Sequence, residues 1–335
     1  MNSYKILSDC LDVFVRQIAK TNALVPKTGL MTGKIGIAIL LYHYARYKNE
    51  PEMAKYADSL IDISVQKIMQ LDKIELESRN ALESVLWGVV WGLDYLIRQE
   101  FVQMDKDVFE KIDTALFQEK NRALHFFDLG VESKKGLYVW NRLDFSKSSE
   151  VDIWRQRMEN CVRHFRDILM QRYTSYVLPV YPCSWLIRFF HICQTLREHT
   201  PYRSKIDMLY EELPEFVKIS YHNEKSLSDK YMLAELLTDI PMFKECIPVD
   251  DTTLQLMELT DVSNFYLTRL FLGRCITVPE AVDKLLVSKA EDPQWIDELL
   301  YQLNQDNIGL GNCIGGLSWA LLQWCMERDK QKMSV

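Results

Sequence analysis

The chain has 335 residues, with 40 Lys and Arg against 47 Asp and Glu, and its formal charge of −7 argues against a nucleic-acid-binding surface. At 48% hydrophobic and 26% charged, its composition excludes the disordered, collagen-like and membrane-spanning classes and leaves a globular protein. Glycine is scarce, with 12 residues where the usual frequency of roughly 7% would give about twice that number. Tyr4, Leu7, Leu11, Phe14 and Ile18 recur at steps of three and four and predict a one-face helix, and Met53, Tyr56, Leu60 and Ile63 predict another, opened by Pro51. The same steps recur in Trp154, Met158, Cys161, Phe165 and Leu169, then in Leu209, Leu213 and Phe216, and finally in Trp295, Leu299 and Leu303. Tyr176 to Tyr181 is the best strand candidate, but Pro179 and Pro182 make a central strand improbable and the segment reads as an extended loop. Pro279 and Pro293 mark the starts of two late helices.

The first residues carry no secretory pattern, and the longest apolar run, Ile35 to Tyr42, is too short to cross a bilayer. The expectation is a cytoplasmic protein without membrane contact, whose eight scattered cysteines are reduced thiols, mostly buried and forming no disulfides. The length prior suggests about two domains, but no linker or low-complexity tract marks a boundary. A single domain over residues 1–335 is expected.

Eleven of the twelve glycines fall in four clusters: Gly29, Gly33 and Gly36; Gly88 and Gly92; Gly130 and Gly136; and Gly309, Gly311, Gly315 and Gly316. Three clusters run into strongly apolar segments, Ile35 to Tyr42, Val89 to Leu96 and Leu317 to Leu322, and Gly136 leads a weaker one. Glycine costs a helix about 1 kcal/mol relative to alanine, so its recurrence at apparent helix starts implies a backbone need such as close packing or exposed N–H groups. Helices apolar on most faces belong inside, and the one-face helices between them belong outside. The reading is an all-α chain, an α/α toroid with inner and outer rings of helices, with an open superhelix as the competing arrangement.

The segment Gly29-Leu30-Met31-Thr32-Gly33-Lys34-Ile35-Gly36-Ile37-Ala38 resembles the first glycine motif of lanthionine synthetase C-like (LanC-like) proteins. Trp87-Gly88-Val89-Val90-Trp91-Gly92 looks like the second motif, and Asn312-Cys313-Ile314-Gly315-Gly316-Leu317 like the last. The resemblance covers residues 25–145 and 308–325 and implies inner-helix N-termini converging on a central cavity. Thr32, Lys34, Trp87, Asp128, Cys183, Asn312 and Cys313 are then the candidates to line that cavity and bind substrate. Asp128 is expected in a loop before Gly130, and the middle repeats are expected to start near Pro182-Cys183 and Tyr231.

The family's cyclases hold zinc through a Cys-x-Gly cysteine and an adjacent Cys-His pair, soft ligands that leave one position open for a substrate thiol. No histidine here directly follows a cysteine, and Cys313-Ile314-Gly315 is the one Cys-x-Gly, inside the last glycine motif. Cys183, Ile187 and His191 share a helix face, but eight positions at 1.5 Å of rise each set Cys183 and His191 about 12 Å apart, too far for both to ligate one ion. No metal, cofactor or catalytic residue is therefore assigned. Asp94 and Asp128 are the acids that a carbohydrate-active toroid would use, and Trp87 the aromatic nearest a glycine turn. The resemblance implies a bacterial pseudoenzyme that binds a modified peptide or a peptide-maturation enzyme, an accessory factor in ribosomally synthesised peptide modification. The alternative is a zinc-independent enzyme, a peptide cyclase or lyase or a carbohydrate-active hydrolase, using the same cavity.

Overall fold

A computed structural model describes residues 3–21, 25, 27–69, 79–103, 113, 117, 128–144, 150–169, 180–244, 246–247, 256–272, 278–292, 294–301, 309–311 and 313–333. Among these residues the regular structure is helical throughout, with no strand. In chain order the helices are α1 (Ser3–Thr21), α2 (Lys34–Lys48), α3 (Pro51–Met69), α4 (Arg79–Arg98), α5 (Asp128–Asp144), α6 (Val151–Leu169), α7 (Cys183–Arg197), α8 (Thr200–Glu211), α9 (Pro214–Asn223) and α10 (Leu227–Leu237). A 3-10 turn at Pro241–Phe243 precedes α11 (Leu259–Leu272), α12 (Glu280–Ala290), α13 (Gln294–Tyr301) and α14 (Cys313–Met333). No helix among the described residues is long and apolar enough to cross a membrane.

The chain divides into two compact units, one made of residues 1–77 with 252–335 and the other of residues 78–251. In the first unit every residue of α2 from Lys34 to Ala45 is buried, as is every residue of α14 from Ile314 to Leu322. Helices apolar on all sides have no solvent face, so α2 and α14 must lie inside. Three pairs set their direction: Leu310 meets Gly36, Trp319 meets His43 and Asp329 meets Tyr47, so the two run parallel. Helix α11 joins them in the same sense, because Ser263 meets Gly316, the Tyr266 carbonyl accepts from Trp319 Nε1 at 3.2 Å, and Arg269 meets Glu327 at 2.7 Å. Helices α1 and α3 pack on α2 in the opposite direction, fixed by Tyr44 to Asp12 and Lys48 to Ser8 for α1 and by Tyr42 to Asp58 with Lys34 near Lys67 for α3. The α2–α3 reversal uses Asn49 in the left-handed region, φ 56° and ψ 45°, where asparagine is tolerated better than most side chains.

The second unit repeats the scheme. Trp87 against Tyr138 and Asp94 against Arg142 make α4 and α5 parallel. Gly130 against Trp185, Ser133 against Arg188 and Gly136 against Ile192 make α5 and α7 parallel. Cys183 against Glu224 and Gln194 against the Leu236 carbonyl carry the same direction to α10. Helix α6 runs against α5, since Glu132 meets His164 while Tyr138 meets Trp154, and α8 runs against α7, with Phe190 on Tyr210 and Arg197 on Asp207. Each unit thus pairs parallel buried helices with antiparallel helices apolar on one face.

Several expectations need correction. Gly88 and Gly92 lie inside α4, which begins at Arg79, and Gly136 lies in the middle of α5, so these three do not mark helix starts, whereas Gly130 is the third residue of α5 and stands at one. Helix α4 is already under way before Gly88, and Gly136 follows the polar turn Glu132-Ser133-Lys134-Lys135 inside α5; a helix tolerates glycine where a neighbour approaches closely, as Ile192 does at Gly136. Asp128 is the first residue of α5 rather than part of a loop. The Leu209, Leu213 and Phe216 stripe is broken between α8 and α9 by Pro214, which starts a new helix. On α3 the buried stripe is Met53, Ala57, Leu60, Ile61 and Ser64, leaving Tyr56 and Ile63 on the solvent side. Leu303 and Tyr176 to Pro179 lie outside the described residues. The starts expected near Cys183 and Tyr231 correspond to α7, which begins at Cys183, and to α10, which begins at Leu227.

Candidate functional site

Two loops from distant parts of the sequence meet in the first unit. The segment entering α2, Gly29 to Gly36, lies against the segment entering α14, and the Gly311 N–H donates to the Met31 carbonyl at 2.6 Å. A Cβ on Gly309 would stand 2.5 Å from that same oxygen and 2.6 Å from the Thr32 Cα. A Cβ on Gly36 would run into the Leu30 carbonyl, and one on Gly316 would lie 2.8 Å from the Leu310 carbonyl. The two helix entries therefore repeat one device, a Gly-Leu pair whose leucine carbonyl rests on a glycine one turn inside the helix. Gly33 has φ −139° and ψ −172°, ordinary extended backbone, so close approach and not a left-handed conformation requires glycine there.

The first N–H groups of a helix point at whatever lies before it, and in many proteins they bind anions. Here the Lys34 and Ile35 N–H groups donate to the Lys27 and Thr28 carbonyls at 3.1 and 3.3 Å, so the chain itself occupies them. The Lys34 side chain is 5% exposed, and burial, helped by Lys67, lowers its ammonium below the usual lysine range. Thr32 is half-buried at the loop contact. Cys313 opens α14, but its side chain and all of Asn312 lie outside the described residues, as does the side chain of Asp128. Deeper along α2, His43 stands edge-on to Trp319 with ring centres 5.2 Å apart, and burial with the nearby Arg46 pushes its imidazole down to about 4.

At the start of α7 the occupant is a carboxylate. Glu224 accepts the Cys183 N–H at 2.8 Å and, through its other oxygen, the N–H groups of Lys225 and Ser226 at 2.8 and 3.0 Å. A negative charge at a helix N-terminus is favourable, so Glu224 stabilises α7 and the turn into α10 together. The Cys183 thiol beside it is fully buried, and burial, with Glu224 and Asp229, pushes it far above the ordinary thiol range. Such a thiol is a poor nucleophile and a poor metal ligand, because both roles need the thiolate.

A third cluster surrounds Asp94. This residue, 5% exposed, faces Arg98 at 3.0 Å and Arg142 at 3.8 Å, and Arg142 also lies 3.5 Å from Asp113. Tyr138 donates its hydroxyl to Asp113 at 2.7 Å. Burial raises both carboxyl groups above the usual range, with the arginines acting in the opposite direction. Trp87 is buried beside this cluster, packed on Phe117 and Tyr138 with centroids 5.6 Å away in each case. Its ring is part of the core.

The structure thus joins Thr32 to the Gly309–Gly311 loop, ties Lys34 to Lys27 in the segment that enters α2, and places Trp87 and Cys183 in the second unit. Asp94, read from the sequence as one of two possible catalytic acids, has Asp113 and Arg142 as its neighbours, and nothing in its spacing points to either. Glu224 had a visible cue, since it precedes Ser226 and a new helix as capping residues do. Among the described residues no three His, Cys, Asp or Glu side chains gather where one metal ion could be held. The zinc that the family resemblance implies finds no fitting donor set there: Cys183 is held as a buried neutral thiol, and His191 packs its ring on Trp140 at 4.6 Å. The chain matches no protein-family model, no curated protein and no solved structure.

Proposed function

We propose that the chain is a divergent LanC-like protein, an α/α toroid over residues 1–335, that binds a peptide or a peptide-maturation enzyme and carries out no zinc-dependent cyclisation. The parallel buried helices with antiparallel partners, found in each unit separately, support the toroid. The observation that carries the functional reading is the state of the helix entries. The Lys34 and Ile35 N–H groups are taken by the chain's own carbonyls and the Cys183 N–H by Glu224, so these ends serve as scaffold. A substrate-activating site would instead keep such donors, and thiolates, open to a ligand.

The test is titration of the purified protein, by calorimetry, with the short peptides encoded beside its gene, in zinc-supplemented and in chelator-treated buffer. The expected outcome is micromolar binding that is the same in both buffers, without ring formation in a dehydrated, cysteine-containing peptide followed by mass spectrometry and thiol labelling. Zinc-dependent loss of the peptide's free thiol would overturn the reading, as would absence of binding to every such peptide and its modifying enzyme.

A further inference from the structure

Arg157, on α6, is a half-buried cation held by aromatic rings alone. Its guanidinium carbon lies 4.0 Å from the centre of the Phe117 ring and 4.4 Å from that of Trp154, and among the described residues it makes no hydrogen bond and no ion pair. A ring face attracts a cation, but it has no lone pair for the five N–H groups at the edge of a guanidinium. Asp113 does not fill that role. It attracts Arg157 from beyond contact distance and is already engaged by the Tyr138 hydroxyl at 2.7 Å and by Arg142 at 3.5 Å. Burial pulls the Arg157 guanidinium below the usual arginine range in spite of Asp113.

A second cation shares the Phe117 ring. Lys135 Nζ, on α5, lies 5.5 Å from the ring centre, and its ion pair with Glu132 spans 3.9 Å, the outer limit of such a contact. Glu132 in turn faces His164 Nδ1 at 3.5 Å. Lys135, Glu132 and Arg157 all act on the buried Cys161 thiol, so the three charges surround one spot. The Lys135 side chain is 18% exposed, and Arg157 is also partly open to solvent. Two cations against one carboxylate leave one positive charge in excess, with an arginine edge that a carboxylate fork would match.

The charge balance selects the occupant. One excess positive charge suits a singly charged carboxylate, whereas a phosphate dianion would bring a second negative charge towards Glu132. A partly open site buries little of a free organic acid, so a carboxylate carried on a longer chain, with further contacts beside it, is the better fit. We propose that Arg157 and Lys135, on the Phe117 ring they share, bind an acidic side chain of a peptide. This deepens the peptide-binding reading and rests on it, naming the class of peptide.

The probes are a rhodamine-labelled peptide with glutamate at every third position of a Gly-Ser chain, and the same peptide with glutamine in place of glutamate. Their binding to the full-length protein is followed by fluorescence anisotropy at fixed ionic strength. The glutamate peptide should bind about tenfold or more tightly than the glutamine one, and Arg157→Gln and Lys135→Gln should each remove most of that preference. Arg163→Gln, which alters an exposed arginine of the same helix bonded to Asn160, should leave it unchanged. Should Arg157→Gln fail to fold, Arg157→Lys, which keeps the charge and loses the fork, decides together with Lys135→Gln. Equal binding of the two peptides, a preference that survives both substitutions or falls equally in Arg163→Gln, or displacement by inorganic phosphate beyond that by chloride would overturn the acidic site. If these probes fail while the peptides encoded beside the gene still bind, the acidic site falls alone. If those peptides and their modifying enzyme fail as well, the peptide-binding reading falls with it.

Discussion

The N–H of Gly311 donates to the carbonyl of Met31 at 2.6 Å, joining the loop that enters α2 to the loop that enters α14. Nothing larger than glycine fits on the α14 side of this contact, because a Cβ on Gly309 would meet Met31 and Thr32 backbone and one on Gly311 would meet the Met31 side chain at 2.8 Å. The contact closes the first unit between elements that are far apart in sequence; its glycines, and separate buried groups within each unit, make four predictions about stability and reactivity.

Gly36→Ala should destabilise the first unit by about 2–3 kcal/mol, although alanine is the better helix former by about 1 kcal/mol. The new methyl group would collide with the Leu30 carbonyl, which is backbone and cannot turn aside. Gly136→Ala is the control: its methyl meets Ile192 Cδ1, the free end of a flexible side chain, so the expected change is within about 1 kcal/mol. Urea unfolding of both variants checks the contrast.

His43 should make stability fall as solutions are acidified below pH 6.5. Its imidazole is pushed down to about 4 in the folded protein by burial and Arg46, so between those values the unfolded chain binds the extra proton. Folding stability is therefore intact above pH 6.5 and is lost progressively down to about pH 4, by up to about 3 kcal/mol. Asp94 and Asp113, whose carboxyl groups are raised, act in the opposite sense: the folded state binds their protons first, so acidification through that range favours folding. The difference in urea stability between wild type and His43→Phe across pH 4–7 isolates the histidine, and a difference that does not vary with pH would contradict the assignment.

Asn141→Leu should stabilise the second unit by about 1–2 kcal/mol, an uncommon direction for a core substitution. Asn141 is 1% exposed, and among the described residues neither its amide nitrogen nor its amide oxygen has a hydrogen-bond partner. Leucine has a similar branched shape and removes both unsatisfied groups at once, whereas Asn141→Ala would leave a cavity and a smaller gain. Thermal unfolding of the two variants ranks them.

Alkylation of the native protein should label Cys246 well before Cys10, Cys161, Cys183, Cys193 and Cys325. Cys246 is only partly buried and the other five are buried. Burial also pushes Cys10 up to about 11, and Cys161 and Cys325 up to about 12, so little thiolate exists at neutral pH. Peptide mapping after a short iodoacetamide pulse reads the order directly, and equal labelling would show that these helices open on the timescale of the pulse.

The parts of the fold that could be read in advance are those where a local pattern suffices. Helix α1 buries Leu7, Leu11, Phe14 and Ile18, and α6 buries Trp154, Met158, Cys161 and Phe165, as steps of three and four require. Glycine at Gly36 and Gly316 was legible as a backbone need, and the need is close approach by a leucine carbonyl. At Gly130, in the first turn of α5, and at Gly136, in its middle, the same residue type accommodates a Trp185 ring and an Ile192 side chain, and no local pattern separates the Gly136 case from a helix start. Tyr56 and Ile63 fit an apolar stripe on α3 yet sit at 46% and 39% exposure, because the face that a helix buries is chosen by its neighbours.

From its residues alone, this protein was determined to be helical, with fully apolar helices inside and one-face helices covering them, since periodicity and glycine placement act within a few turns of chain. Only tertiary structure decided that the buried helices of each unit run parallel, that Met31 and Gly311 meet, and that Asp94 shares Arg142 with Asp113. Those relations join residues tens to hundreds of positions apart. Their energies depend on burial and distance, which emerge only when separate helices pack.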